Sequence, residues 1–200
     1  MAIPRAIVLV DGENLVFRYE AMVESGRVPD KKVIHIPGVF VWHPEITEWC
    51  MMDIVHVYFY TSMVGDDSTL VATKEAIGKT VYRYDYMIGE HHSGAAQLVP
   101  VVFKKLSSSR KSRQVDINIT IDMMRFAHNP NIQVLHLISG DGDYIPLLQE
   151  VMRHGKEAYV GALSSGIASE LRYTADEFIS LDDMFFPPAK ARVTREKLKT

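Results

Sequence analysis

The chain has 200 residues, which suffices for one α/β domain with a sizeable core but is short for two. Hydrophobic residues make up 47% and charged residues 24% of it, a composition that excludes an intrinsically disordered chain. The formal net charge is −3, so the chain has no overall excess of basic residues for binding nucleic acid. Any basic surface of that kind must be local.

The single cysteine, Cys50, excludes an intramolecular disulfide and a cysteine-based zinc site, and it suits a reducing compartment. No stretch approaches the roughly 20 consecutive apolar residues that a membrane-spanning helix needs. The first residues, MAIPRAIVLVDGEN, lack the pattern of a secretory signal peptide. We therefore expect a cytoplasmic protein with no membrane partner.

Short apolar runs recur along the chain, and most of them lead into turn residues and then a helical pattern. The strand candidates are residues 6–10, 54–60, 99–103, 134–139, 157–162 and 177–181. The helical patterns after these runs cover residues 11–26, 67–79, about 144–155 and about 165–174. This alternation predicts an α/β fold, with a parallel sheet covered by helices on both faces.

Residues 115–122, VDINITID, alternate like a half-buried strand, but the pattern continues to about residue 128 and is longer than most strands. Two apolar sets recur at helical spacing, namely Ile117, Ile121 and Met124, and Ile119, Met123 and Phe126. We therefore predict a helix, and two apolar stripes indicate that it is buried on two sides.

Two segments depart from the alternation within a single domain predicted over residues 1–186. Residues 27–50 have the pattern of an inserted hairpin or an edge extension, and their aromatic side chains either pack on the domain or form a contact in a homodimer. Residues 187–200 begin with two prolines and are basic, which predicts a loosely held tail.

Acidic residues stand where the strands and helices of such a fold begin or end. Asp11 follows the first strand candidate, and the stretch SGDGDY places Asp141 and Asp143 after the fourth. Asp116 starts the helix predicted from residue 115, and Asp122 lies within it. Because loops gather at the carboxyl ends of parallel strands, these carboxylates can face one crevice. Such a cluster is unstable unless it is protonated or holds a cation, and oxygen ligands suit Mg²⁺ or Mn²⁺.

Each acid also has a simpler structural interpretation. Asp143 is placed to cap a helix that begins at Tyr144, and Asp122 lies three residues before Arg125, as in a surface ion pair. Asp116 can favour the positive end of its helix, and Asp11 can belong to an ordinary turn. Their coincidence at the ends of several elements favours a shared site.

The stretches IVLVDGENL, KSRQVDINITIDMM and LISGDGDYIPLLQEVMRHGKEAYV resemble the NYN domain, in the LabA-like branch of the PIN-like nuclease superfamily. The resemblance spans residues 5–182, apart from the regions 27–50 and 62–95. It implies a PIN-like three-layer sandwich with a mainly parallel central sheet. It also implies a metal-dependent ribonuclease site.

The resemblance also implies roles for individual residues. The catalytic and metal-binding residues would be Asp11, Asp116, Asp141 and Asp143, holding Mg²⁺ or Mn²⁺. The supporting residues would be Asn14, Asp122 and Ser139. The family usually has Lys-Gly before the Val-Asp pair, whereas this chain has KSRQVD, which puts Lys111 one residue out of the common register. All of the expected acids are present, which argues against a degenerate copy.

A basic segment precedes the acidic helix and is the candidate substrate-binding region. Its cationic residues are Lys104, Lys105, Arg110, Lys111 and Arg113. A basic segment beside an acidic metal pocket suits a polyanion such as single-stranded RNA, while a solvated lysine-rich loop remains the alternative.

Two other functions remain open. A phosphohydrolase of the haloacid-dehalogenase type needs a second aspartate two residues after the first, and that position holds Glu13. A non-catalytic RNA-binding or regulatory module would keep the fold and the acids, so sequence separates it poorly from an enzyme.

Overall fold

The structure is a computed structural model that describes residues 3–48, 50–105 and 113–188. The strands are β1 (Arg5–Asp11), β2 (Ile34–Ile36), β3 (Phe40–Trp42), β4 (Asp53–Met63), β5 (Val81–Ile88), β6 (Glu90–Gln97), β7 (Val99–Lys104), β8 (Val134–Ile138), β9 (Glu157–Ala162) and β10 (Glu177–Ser180). The helices are α1 (Gly12–Glu24), α2 (Glu45–Glu48), α3 (Asp67–Gly78), α4 (Arg113–Ala127), α5 (Ile145–Arg153), α6 (Ser169–Thr174) and α7 (Asp182–Phe185). A 3₁₀ turn, Gly142–Tyr144, precedes α5.

Six parallel strands form the central sheet in the order β10-β9-β8-β1-β4-β7. All six predicted strands are present in it. The chain first builds outward from β1 through β4 and β7, and then continues on the other side of β1 with β8, β9 and β10. The order therefore reverses between β1 and β8, and a crevice opens at the carboxyl ends of strands at such a point.

Helices cover both faces of this sheet, so the predicted three-layer α/β architecture is confirmed. In β1, Val8 and Val10 belong to the core that includes Leu15 and Tyr19 of α1. The alternate residues Ile7 and Leu9 belong to the second core, which includes side chains of α4, α5 and α6. A central strand buried on both faces explains the unbroken apolar run at residues 6–10.

Helix α4 is present as predicted, but the expectation that it is buried on two sides is wrong. Its buried residues are Val115, Ile119, Met123 and Ala127, one stripe that packs on the sheet. Ile117 and Ile121 are 53% and 42% exposed, because α4 lies in an outer layer and its other face meets solvent.

Residues 27–50 contain an antiparallel pair, β2 and β3. Phe40 and Trp42 of β3 are 1% and 0% exposed and lie in the core beside α1, so these two aromatic side chains pack on the domain. A homodimer contact through residues 27–50 stays a prediction, and because Phe40 and Trp42 are buried, other residues of the segment would have to form it.

The structure also contains an element that the sequence did not lead us to predict. Strands β5 and β6 pair antiparallel through Gly89, whose positive φ of 73° closes the turn. Tyr82, Tyr84 and Tyr86 alternate along β5, and this period of two is the signal that indicates it.

The single domain over residues 1–186 stays a prediction. The tail predicted from residue 187 lies outside the described residues, apart from Pro187 and Pro188. Within the described ranges, no helix is long and apolar enough to cross a membrane.

Candidate active site

Asp11 is the last residue of β1 and the cap of α1. One carboxylate oxygen accepts a hydrogen bond from the Asn14 backbone N–H at 3.1 Å, and the other accepts one from the Ser139 hydroxyl at 3.0 Å. Only 2% of Asp11 is exposed. The end of the strand, the start of the helix and the neighbouring loop therefore all fix this carboxylate in place.

The turn from β1 into α1 requires glycine at position 12. A Cβ atom there would lie 2.6 Å from the Tyr60 carbonyl oxygen and would clash with the Phe59 ring. Glycine therefore allows α1 to begin directly against β4, which holds Asp11 at the sheet edge.

The loop after β8 brings Asp141 beside Asp11. The Gly140 backbone N–H donates to the Asn14 side-chain oxygen at 3.0 Å, and the Asp141 N–H donates to the Ser139 hydroxyl oxygen at 3.2 Å. Asn14 and Ser139, predicted as supporting residues, thus tie this loop to α1 and β1.

Asp143 does not have the capping role that its position suggests. The cap of the 3₁₀ turn is Asp141, whose carboxylate accepts a hydrogen bond from the Asp143 backbone N–H at 3.0 Å. The Asp143 side chain is exposed and is not among the residues that line the cavity described below.

Tyr144 connects Asp116, in the first turn of α4, to Asp11. Its hydroxyl lies 3.3 Å from Asp116 Oδ1 and 3.4 Å from Asp11 Oδ2, and the side chain is 3% exposed. Burial, and then the charges of Asp11 and Asp116, raise the pKa of Tyr144. The hydroxyl therefore keeps its proton and can donate it to one carboxylate at a time.

The pKa of Asp11 is raised from 3.8 to about 7, mainly because burial disfavours the charged form. The nearby charges of Asp116 and Glu13 raise it further, and the hydrogen bonds from Asn14 and Ser139 oppose the shift. A nearby cation would favour the ionised form, so this carboxylate has the electrostatics of a cation ligand.

A cavity of about 680 Å³ opens at this edge of the sheet, and we call it the acidic cavity. Asp11, Asn14, Asp116 and Asp141 line one part of it. The other residues that line it come from α1, the β2–β3 turn, the end of β4 and the segments just after β4 and β7: Glu13, Val16, Phe17, Arg18, Glu20, Gly38, Val39, Ser62, Met63, Val64 and Lys105. The cavity is thus lined both by acidic side chains and by an apolar set, Val16, Phe17, Val39, Met63 and Val64.

Glu13 is a cavity residue that sequence reasoning missed. It accepts hydrogen bonds from the Ser62 hydroxyl and, at 3.2 Å, from the Lys105 ammonium group. The available signal was its place on α1, two residues after Asp11 and one before Asn14. The same ion pair brings Lys105, a predicted substrate-binding residue, into the cavity.

The other predicted basic residues are placed differently. Lys104 pairs with Asp67 at 2.7 Å and does not line the cavity, and Arg113 is exposed at the start of α4. Arg110 and Lys111 lie outside the described residues.

Asp122 lies away from the other acids. It accepts a hydrogen bond from the Tyr60 hydroxyl at 3.0 Å and pairs with Arg125 at 2.9 Å, and it does not line the cavity. The surface ion pair that the spacing allowed is therefore present.

The donor chemistry of the acidic cavity fits a hard divalent cation. Within the described ranges, no three histidine, cysteine, aspartate or glutamate side chains are grouped closely enough to hold a metal ion as they stand. Asp11, Asp116 and Asp141 nevertheless offer only oxygen ligands, and Asp11 and Asp116 flank one hydroxyl. Mg²⁺ is usually held by one or two carboxylates and several waters, so it does not require a complete cage of protein ligands.

Comparison with known proteins gives a family match over nearly the whole chain. The NYN domain model matches residues 5–182. The chain belongs to the NYN domain family. The predicted family is thereby confirmed, and it places the chain among the PIN-like nucleases, which generally use divalent metal ions. The LabA-like branch stays a prediction.

The chain is also similar to a solved structure over most of its length and to a second protein over less than half of it. A crystal structure of a protein of unknown function from Vibrio parahaemolyticus has a TM-score of 0.59 and 19% identity, over 92% of this chain and 96% of that one. An uncharacterized protein of Methanocaldococcus jannaschii is 27% identical over 85 residues, which are 42% of this chain and 33% of that protein. The likeness to the Vibrio parahaemolyticus structure supports the fold alone. The match to the Methanocaldococcus jannaschii protein spans only a third of that protein's length.

Proposed function

We propose that the protein is a metal-dependent ribonuclease whose active site is the acidic cavity. The observation that carries the proposal is that Asp11, Asp116 and Asp141 come from three separate elements and line the same cavity. We assign the cation, Mg²⁺ or Mn²⁺, to these three carboxylates. The role predicted for Asp143 stays a prediction.

The charge of the cavity supports the need for a cation. Among the described residues that line it, five carry carboxylates, Asp11, Glu13, Glu20, Asp116 and Asp141, and two are cationic, Arg18 and Lys105. A phosphodiester would be repelled by this excess of negative charge. A divalent cation held by the carboxylates would offset most of this negative charge and would give a phosphate oxygen a positive group to bind.

The reaction proposed is hydrolysis of an RNA phosphodiester. Water attacks phosphorus, the bond from phosphorus to the leaving oxygen breaks, and that oxygen takes up the proton. The cation, when bound, neutralises the phosphate charge and lowers the pKa of the attacking water. The hydrogen bonds from Asn14 and Ser139 hold Asp11 in one orientation, so its carboxylate needs no rearrangement to serve as a ligand.

The substrate we propose is single-stranded RNA, because only an unpaired nucleotide can enter a cavity with an apolar wall. Lys105 lines the cavity and Arg113 is the first residue of α4, which carries Asp116, and we assign both to binding the RNA backbone. Roles for Lys104, Arg110 and Lys111, the LabA-like branch, a homodimer and a cytoplasmic location are kept as further predictions.

The test is cleavage of a labelled single-stranded RNA by the full chain in Mn²⁺, in Mg²⁺ and in EDTA. We expect cutting only with a metal, and we expect Asp141→Asn to reduce the rate by at least about a hundredfold. Asp85→Asn is the matched control, because Asp85 lies on the β5–β6 hairpin, outside the cavity, with 71% of its side chain exposed.

The remaining outcomes separate the alternatives. RNA that is bound but never cut, with either metal, identifies the non-catalytic RNA-binding module. Turnover of a small phosphomonoester without RNA cleavage identifies the phosphohydrolase. Cutting that survives EDTA and Asp141→Asn contradicts the proposed site.

A further inference from the structure

Arg18 is a cavity residue that has no anionic partner among the residues the structure describes. Within the described part of the chain it forms no ion pair or hydrogen bond, and its Nε atom is buried without an acceptor. An arginine is always charged, and burying a donor without an acceptor is costly. Arg18 nevertheless lines the same cavity as Asp11 and Asp141. The Arg18 guanidinium is therefore available to bind an anionic ligand in the cavity.

The backbone opposite makes room for this guanidinium. Gly166 has a φ of +75°, and a Cβ atom on it would clash with Arg18 Cζ and Nη1. The loop that carries Gly166 also hydrogen-bonds to the site, since the Ala168 N–H donates to the Gly140 carbonyl at 3.1 Å. The segment from 164 to 168 thus holds Arg18 beside the loop that carries Asp141.

Phe17 adds an aromatic surface beside Arg18. It is 64% exposed although it lines the cavity, and the Arg18 guanidinium lies 5.3 Å from the centre of its ring. An exposed aromatic ring beside a guanidinium that has no described anionic partner suits a nucleotide, because the ring can stack on a base and the guanidinium can bind a phosphate.

The wall of the cavity around Phe17 is of suitable size and polarity. Val16, Val39, Met63 and Val64 line it, and its volume of about 680 Å³ lies within the range of small-molecule sites. The β2–β3 turn is fixed there by Glu20, which accepts hydrogen bonds from the Gly38 N–H at 2.7 Å and from His35 at 2.9 Å. The apolar part of the cavity is therefore formed by residues that hydrogen bonds hold in place in the folded domain.

We infer that Phe17 and Arg18 form a subsite for one unpaired nucleotide of the RNA, adjacent to the scissile phosphate. The base stacks on Phe17 against the apolar wall, and the Arg18 guanidinium binds a phosphate that flanks the one at the carboxylates. This inference rests on the proposed function, because the carboxylates define which phosphate is cut. It makes Arg18 and Phe17 binding residues and leaves the chemistry to the acids.

The test is binding of a fluorescein-labelled single-stranded oligoribonucleotide to the full chain, followed by fluorescence anisotropy. Ca²⁺ replaces Mn²⁺, so that affinity is measured apart from cleavage. Arg18→Ala should weaken binding about tenfold. It should also make the negative slope of log affinity against log salt less steep by about 0.7, the value expected for loss of one phosphate contact. Phe17→Ala should weaken binding about tenfold, as for loss of one stacked base.

An oligoribonucleotide with abasic residues separates the two roles. Phe17→Ala should leave the affinity for this probe unchanged, because no base remains to stack, while Arg18→Ala should weaken it as before. Phe17→Tyr should retain affinity for the intact RNA. Arg18→Lys, which keeps the charge and removes the planar fork, should lie between wild type and Arg18→Ala.

Two matched controls carry the same changes outside the cavity. Arg153→Ala removes an exposed arginine at the last residue of α5, and Tyr173→Ala removes an aromatic side chain that is 84% exposed. Both should bind RNA as wild type does. Folding of every variant is checked by its melting temperature.

The outcomes distinguish this inference from the proposed function. Folded Arg18→Ala, Arg18→Lys and Phe17→Ala that bind and cleave as wild type overturn the subsite and leave the nuclease intact. Dependence on Phe17 and Arg18 without any cleavage in Mn²⁺ supports the subsite and overturns the nuclease. Wild-type protein that binds no RNA overturns the inference.

Discussion

At the scale of single residues, Asp11 shows how the site differs from an ordinary turn. An aspartate that only caps a helix can stay in water, whereas this one is buried and has a pKa of about 7. One carboxylate oxygen of Asp11 accepts the capping hydrogen bond from the Asn14 backbone N–H. The other oxygen lies within hydrogen-bond distance of the Ser139 and Tyr144 hydroxyls. The fold therefore tolerates a carboxylate that is costly to ionise, which is typical of functional sites.

The metal-free protein should become less stable as the pH rises from about 4 to about 7. Between the unfolded pKa of 3.8 and the folded pKa of about 7, Asp11 binds a proton in the folded state and not in the unfolded state. Its contribution is fully present below the lower value and is lost as the pH passes the upper one. Asp11→Asn keeps the helix cap and removes the titration, so in EDTA it should gain up to about 4 kcal/mol over wild type between these limits.

Urea unfolding of the two proteins in EDTA at several pH values measures this difference. Other carboxylates, such as Asp66 with a pKa lowered to about 2 by its hydrogen bonds from Thr69, titrate alike in both proteins and cancel. If the free energy of unfolding depended on pH in the same way for wild type and Asp11→Asn, the raised pKa of Asp11 would be contradicted.

Residue patterns alone located some site residues and missed others. Asp11 and Asp141 were predictable because strand-like runs end just before them, and parallel strands bring such ends together. Phe17 and Arg18 follow Asp11 on a helix and have the pattern of ordinary surface positions. They line a cavity because distant segments of the chain meet them there, among them the turn at Gly38 and Val39 and the end of β4.

At the scale of elements, the strands were predictable and the details at helix ends were not. The apolar runs of β1 and β8 identify buried parallel strands, since both faces of these strands are covered. The Asp143 cap was misjudged because a 3₁₀ turn precedes α5, so the capping position falls at Asp141. Propensity rules do not distinguish a 3₁₀ turn from the first turn of an α-helix.

Gly12→Ala should destabilise the protein by about 1–3 kcal/mol, because a Cβ atom there meets the Phe59 ring and the Tyr60 carbonyl oxygen and forces α1 away from β4. Thermal or urea unfolding measures it. Gly78→Ala is the matched control, since its Cβ atom would meet nothing closer than Pro100 Cγ at 3.7 Å, and it should be neutral or slightly stabilising. Equal stability of Gly12→Ala and wild type would show that the β1–α1 junction is not tightly packed.

At the scale of the whole molecule, the acidic cavity exists only where several distant parts of the chain meet. Asp11 comes from β1, Asp116 from α4 and Asp141 from the loop after β8, and the reversal of strand order beside β1 opens the crevice between them. The sequence supports the three-layer fold and the acids because both follow from local patterns. The apolar wall and the position of Arg18 in the cavity depend on tertiary contacts.

The central claim is that Asp11, Asp116 and Asp141 together hold one divalent cation at the active site. Calorimetric titration of Mn²⁺ into the purified full chain tests it most directly, with Asp116→Asn beside wild type and Asp85→Asn as the control. We predict saturable binding to wild type and to Asp85→Asn, and loss of that binding in Asp116→Asn. Equal Mn²⁺ binding by wild type and Asp116→Asn would contradict the claim.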